Sequence, residues 1–439
     1  MAPVTGLSPR GARSRGLAGA GAAGMLGAGV GALAQFLLVL VVTRSLPAHQ
    51  AGAFFTATAL CLMAAGILRL DAGNGLVYFI ARSRPFDHHG MSGYIRAALL
   101  PVLVLSVAGA VIAHLHHDEI AAATGVPAEW VRPLGAALPV VVCAEVLVAA
   151  TRGFGVIGPT VCLTGLFLPL SQLALVAGAV AVAIPPTLGW ALPYLPVLVL
   201  GWVCLRRRTP RRPYMPGTAL DLWRHTAPRA VAGAIQAVFQ RLDVVLVAVL
   251  AGPVEAAFYT AATRFKVVGQ LAGQGLAQAA QPRLVRALAA GDLRRARELY
   301  QVTTVWLVLA TWPIWVGYAV FAPWVLPIFG DGYAGGTGVA VVLSATMLAA
   351  SACGMVDVVL TAAGHTTASL AHIAAAVAVT VTLDLALIPG YGALGAALGW
   401  SAGVLVKNLV PLLLLHRAYG LRPFGRHTLT ALRTPGRTL

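Results

Sequence analysis

Apolar residues dominate the chain in long runs separated by short polar connections. A helix needs about 20 mostly apolar residues to cross ~30 Å of hydrocarbon. Twelve segments reach that length, near 17–43, 51–81, 94–114, 131–151, 157–183, 187–205, 225–250, 255–285, 299–322, 337–363, 366–388 and 393–416. Open sheet edges would leave backbone groups without partners in lipid, so the segments are read as helices. The first of them follows a short basic stretch, as a signal peptide would. It is longer than the usual apolar core and lacks a good cleavage site, so an uncleaved helix is expected.

Composition agrees: the 439 residues are 59% hydrophobic and 10% charged, with mean hydropathy +0.82. A soluble domain carries roughly 25% charged residues. The formal net charge of +17 would suit a nucleic-acid partner only if it gathered on one face. Instead it alternates. With the N-terminus inside, the inner connections and tails hold 24 arginines, and the outer loops hold Arg44 and Arg132 alone. Lys and Arg accumulate in cytoplasmic loops, so the charge sets orientation and faces anionic lipid. The expected location is the cell membrane, multi-pass, with both termini cytoplasmic and no nucleic-acid partner.

The longest polar connection, "RRRTPRRPYMPGTALDLWRHTAPR" at 206–229, divides six segments from six. "AFFTATA" at 53–59 is similar to "AFYTAAT" at 257–263, and "AIPPTLGWA" at 183–191 to "LIPGYGALG" at 387–395. The two matches share one offset, which points to an internal repeat. An even number of helices per half makes the repeats parallel. The expected architecture is therefore all-α, about 12 transmembrane helices in two six-helix lobes related by a pseudo-twofold axis along the membrane normal. Its parts are an N-tail (1–16), an N-lobe (17–205), a basic linker (206–224), a C-lobe (225–416) and a basic C-tail (417–439).

Charges inside the spans are the chemical signal. Arg69, Arg241, Arg264, Lys266 and Lys407 oppose Asp71, Glu145, Asp243, Asp357 and Asp384. A charge at a helix centre costs about 2.5–3.5 kcal/mol on insertion scales, so each is expected to face a partner or a wet cavity. On an unbroken helix, Arg241 and Asp243 project about 200° apart and cannot pair. Gln236, Gln240 and Asp243 would share one face. In the next segment, Tyr259, Thr263, Lys266, Gln270, Gln274, Gln278 and Gln281 fall within about 120° of arc at 100° per residue. Such a ribbon lines either a water-filled path or a hydrogen-bonded seam between helices. Glutamine suits a sugar path because it donates and accepts without holding a charge. A Lys in that ribbon offers one attraction for an anion such as a diphosphate.

Other clusters carry less. "HLHHDEI" at 114–120 has metal-ligand residue types without a fixed face and is read as a solvated loop, so no metal is expected. The five cysteines form no C-x-x-C pair and are read as small core residues. Gly27 and Gly31 form a small-x-x-x-small pair suited to close helix packing.

Several patterns carry a family resemblance: "QAGAFF" after the first helix, Arg241-x-Asp243 in the seventh, and "AAFYTAATR" opening the eighth. Pro282, "IFGDGY" at 328–333 and "LIPGYGALGAALG" at 387–399 extend it. The chain resembles the polysaccharide-transport branch, the Wzx-type flippases, of the multidrug/oligosaccharidyl-lipid/polysaccharide exporter superfamily. The resemblance implies a transporter, not an enzyme, that moves a polyprenyl-diphosphate-linked oligosaccharide across the inner membrane by alternating access. Cargo-lining candidates are Arg241, Arg264, Lys266, Gln270, Gln274, Gln278, Gln236 and Gln240. Ion-coupling candidates are Asp243, Asp71 and Glu145, with a proton or Na⁺ as coupling ion and no other cofactor. Asp384 precedes "LIPGYG" where relatives often carry Asn, and no role is assigned to it. Expected partners are the lipid-linked glycan, membrane lipids, and a polysaccharide polymerase or glycosyltransferases. An ion-coupled drug antiporter of the same fold and a peptidoglycan lipid-precursor flippase remain alternatives.

Overall fold

The computed structural model describes residues 10–83, 91–209, 217–266, 273, 276, 280–281, 283–288, 290–362, 366–426 and 428. Nine helices among them are long and apolar enough to cross a membrane, or ten if one bent pair is a single span. The chain is a multi-pass, all-α membrane protein. It divides into two compact units: Met1–Leu46 with Thr56–Leu242, and Pro47–Phe55 with Asp243–Leu439.

Unit 1 holds α1 (Arg10–Ser45), most of α2 (Ala48–Leu68), α3 (Ala72–Ser83), α4 (Met91–Leu115), α5 (His117–Thr124) and α6 (Ala128–Thr151). After a π-helical stretch, Thr160–Phe167, come α7 (Leu168–Ala181), α8 (Pro186–Ala191), α9 (Tyr194–Arg208) and α10 (Thr218–Phe239). The helix α6 packs against α3, α4 and α9 and buries Val141, Val142, Val146 and Leu147. Lipid tails are as apolar as these side chains, so close van der Waals fit must drive association. The pair Gly27 and Gly31 shows it: a methyl group on Gly31 would meet the Gly165 carbonyl oxygen at 2.8 Å.

The expected helix over 51–81 is two helices. Leu70 and Asp71 take φ of 51° and 52° between α2 and α3. Left-handed backbone costs an L residue roughly 1–2 kcal/mol. Asp71 Oδ1 accepts from Asn74 Nδ2 at 2.6 Å and Oδ2 from Arg229 Nε at 2.9 Å, which offsets that strain.

Unit 2 continues with α11 (Leu242–Ala251), α12 (Pro253–Thr263), α13 (Leu293–Val325), α14 (Thr337–Ala352), α15 (Val356–Ala362) and α16 (Thr366–Tyr419). The expected segments 366–388 and 393–416 run through α16, which is two helices meeting at Gly392, φ 55° and ψ −132°. A non-glycine residue would be strained there. The Glu255 carboxylate on α12 accepts the Ala393 N–H at 2.8 Å and so caps the second helix.

The expected helix over 225–250 also breaks. The chain turns at Gln240 and Arg241, between α10 and α11. The unbroken helix on which Gln236, Gln240 and Asp243 would share one face is therefore absent; Gln236 and Gln240 are exposed, and Asp243 is buried. The physical reason lies at the start of α11. The Asp243 carboxylate folds back to accept the Val244 N–H at 2.9 Å, a favourable place for an anion.

Candidate functional site

Within unit 2, four elements bring charged and aromatic groups together. Asp243 comes from the first turn of α11 and Tyr259 from α12. Lys266 follows just beyond α12, and Asp384 and Trp400 belong to the two halves of α16. Tyr259 Oη donates to Asp243 Oδ2 at 2.8 Å. Lys266 Nζ lies 3.7 Å from the same oxygen and 4.2 Å from the centre of the Trp400 ring. The ammonium is thus held by a carboxylate and an aromatic face, both effective partners in a desolvated place.

Asp384 completes the group. It is 1% exposed, and its Oδ1 is buried without a hydrogen-bond partner among the described residues. It interacts electrostatically with both Asp243 and Lys266. Gly399, in the other half of α16, leaves the space its side chain occupies, since a methyl group there would collide with Oδ1. Asp243 and Asp384 face the Lys266 ammonium, and the Arg264 guanidinium is within electrostatic reach of Lys266. The group left without a hydrogen-bond partner among the described residues is Asp384 Oδ1, and burial makes an unmatched carboxylate oxygen costly. A small cation, H⁺ or Na⁺, would match it.

Unit 1 carries a second polar group at the break between α2 and α3. Arg69 Nη1 lies 3.5 Å from Glu145 Oε2 on α6, and Arg241 is within electrostatic reach of the same carboxylate. Asp71 is occupied by Arg229 of α10. Of the coupling candidates, Asp243 is thus in the unit 2 cluster, and Asp71 and Glu145 are each matched to an arginine in unit 1. Of the cargo candidates, Lys266 is bound to Asp243, and Arg264 stands 6.0 Å from the Phe55 ring centre. Gln270, Gln274 and Gln278 lie outside the described residues, and Gln281 is exposed.

Sequence reasoning set Asp384 aside and did not foresee Trp400 or Arg229. Their signals were weak: Asp384 was visible only as one more intramembrane acid, and Arg229 counted as cytoplasmic. The remaining intramembrane pair, Lys407 with Asp357, is 3.1 Å apart and half-buried. His116, His117, Asp118 and Glu119 pair among themselves, and no group of three or more metal-ligating side chains is found among the described residues. Cys61, Cys143 and Cys353 are buried, Cys204 is half-buried and Cys162 is exposed.

Comparison with known proteins supplies the frame for this geometry. A family model, MatE, matches residues 228–386, which include Asp243, Lys266 and Asp384. A multidrug resistance MATE family transporter of the MOP superfamily superposes with TM-score 0.74 at 16% identity, over 89% of this chain and 95% of that one. The fold is that of a MATE transporter. The lipid II flippase MurJ superposes at TM-score 0.70 and 10% identity, over 91% of this chain and 89% of that chain. A MOP superfamily transporter from Pyrococcus furiosus gives 0.57 at 16% identity, over 91% and 94%. No curated protein sequence matches the chain.

Proposed function

We propose that this chain is a transporter of the cell membrane that moves a polyprenyl-diphosphate-linked oligosaccharide by alternating access, with H⁺ or Na⁺ as coupling ion. The arginine distribution supports an orientation with both termini in the cytoplasm. The observation that carries the coupling is the buried Asp384 carboxylate, whose Oδ1 has no hydrogen-bond partner among the described residues, beside Asp243 and Lys266. An ion bound there changes the local charge by one unit in a low-dielectric setting and favours whichever conformation binds it more tightly.

The cargo class rests on the intramembrane cations. Arg69, Arg241 and Arg264 are costly in a span and suit an anionic headgroup better than a cationic drug. Of the candidate cargo-lining glutamines, Gln236 and Gln240 are exposed and can meet a glycan without trapping it. A polymerase or glycosyltransferases that make and use such a glycan are the proposed partners, together with membrane lipids.

The likeness to a multidrug transporter and the MatE match favour a second reading, an ion-coupled small-molecule antiporter. The likeness to MurJ keeps a lipid-precursor flippase in the same class as the first. Purified protein in sealed vesicles separates them. Translocation of a fluorescent polyprenyl-diphosphate oligosaccharide, lost in Lys266→Ala while membrane insertion persists, is the expected result. Efflux of a cationic dye without glycolipid translocation would replace the proposal by the antiporter.

A further inference from the structure

A cavity of about 400 Å³ opens in unit 1 between α2, α4, α5 and α6. Its walls are almost wholly apolar: Ala64 and Leu68 on α2, Ile112 on α4, and Leu134, Gly135 and Leu138 on α6 are representative. Its two polar lining atoms are turned into the wall, Cys61 Sγ towards the Leu134 carbonyl and Thr124 Oγ1 donating to the Ile120 carbonyl. A cavity of this kind offers water no partners. It lies among membrane-spanning helices, and its rim is open at Ile67 and Ile112, 36% and 58% exposed. Its natural filler is a hydrocarbon chain.

One end of the groove is charged. Ile67 and Leu68 line it, and Arg69 follows at the turn. Cys61, also in the wall, interacts electrostatically with Glu145, the partner of Arg69. Two cations, Arg69 and Arg241, stand against that one carboxylate. The Arg69 side chain is 43% exposed and engages Glu145 through a single long contact, so it keeps donors for a further anion. The site is therefore amphipathic, an apolar slot ending in net positive charge.

Position narrows the ligand. Arg69 lies at the turn between α2 and α3, and α3 runs a further 12 residues, about 18 Å at 1.5 Å per residue, to Ser83. A resident phospholipid keeps its headgroup at the interface, whereas a lipid being moved across carries its anion past turns between helices such as this one. Ala57, Ala64 and Ala123 keep the wall low along the slot, while Gly109 and Gly135 let Leu68, Leu138 and Ala113 pack closely around it.

We propose that this groove holds the polyprenyl chain of the transported lipid next to its phosphate, with Arg69 as the phosphate contact. The proposal rests on the lipid-linked reading above. The test uses the full chain in phosphatidylethanolamine–phosphatidylglycerol nanodiscs and a polyprenyl phosphate bearing a diazirine on its chain, with the labelled peptides mapped by mass spectrometry. Label is expected on the α2, α4 and α6 segments of the groove, competed by unlabelled polyprenyl phosphate and not by phosphatidylglycerol. Ala64→Phe fills the slot, and Ile112→Trp narrows its exposed rim. Each is expected to lower labelling roughly tenfold, equivalent to about 1.4 kcal/mol. Arg69→Gln should bring the phosphate probe down to the level of the neutral polyprenol.

Label absent from the groove, unchanged in both filled variants, or displaced equally by phosphatidylglycerol would overturn the assignment. Wild-type vesicles scored in parallel keep the two readings apart. Glycolipid translocation without groove labelling defeats the groove alone, and no translocation at all defeats the cargo reading and the groove with it.

Discussion

Lys266→Met removes the ammonium of the unit 2 cluster while keeping an apolar stem beside Trp400. At 3.7 Å the Lys266–Asp243 attraction is about 4 kcal/mol with an effective dielectric of about 20. The aromatic contact adds up to about 2 kcal/mol when desolvated. Against these stands the desolvation of the ammonium, several kcal/mol, which the variant no longer incurs. Removing one partner of a buried pair nevertheless leaves the other uncompensated, at a typical cost of about 3–5 kcal/mol. Here the carboxylate left behind has a second one, Asp384, within electrostatic reach, so the upper part of that range is expected. The assay is SDS-driven unfolding in mixed micelles followed by tryptophan fluorescence. Asp243→Asn in the Lys266→Met background should recover much of the loss, with a coupling energy of about 2–3 kcal/mol in the double-mutant cycle. Additivity within about 0.5 kcal/mol would show that the two charges do not depend on one another, and the cluster as described would be wrong.

Asp384→Asn removes the charge of the unpartnered carboxylate while keeping its shape. Wild-type protein should gain thermal stability from Na⁺ or from added protons, and the variant should lose that gain while still folding; an undiminished cation effect would place the ion elsewhere. Gly392→Ala forces a left-handed alanine and crowds the Glu255 carboxylate, which would lie 2.5 Å from the new methyl group. A loss of about 2 kcal/mol or more is expected from strain together with the weakened cap, read in the same unfolding assay. Stability equal to wild type would mean that α16 runs straight through this residue.

Much of the helical framework was legible in the chain itself. Hydrocarbon leaves the backbone no outside partner, so each apolar run longer than a bilayer must satisfy its own hydrogen bonds, and periodic hydropathy reports helices directly. That intramembrane charges should face either a partner or a wet cavity followed from their cost, and Arg69 with Glu145 and Lys407 with Asp357 are pairs. The places where helices break were not legible. Leu70, Asp71 and Arg241 have no glycine or proline among them, and their turns are held by contacts distant in sequence, such as Arg229 on Asp71. Periodicity assumes an unbroken helix, so it assigned Asp243 to the exposed face of Gln236 and Gln240 instead of to a buried cluster. Which acid meets which base is also a tertiary matter. Asp384 lies more than a hundred residues from Lys266, and only the packing of α16 against α12 brings that carboxylate to the cluster.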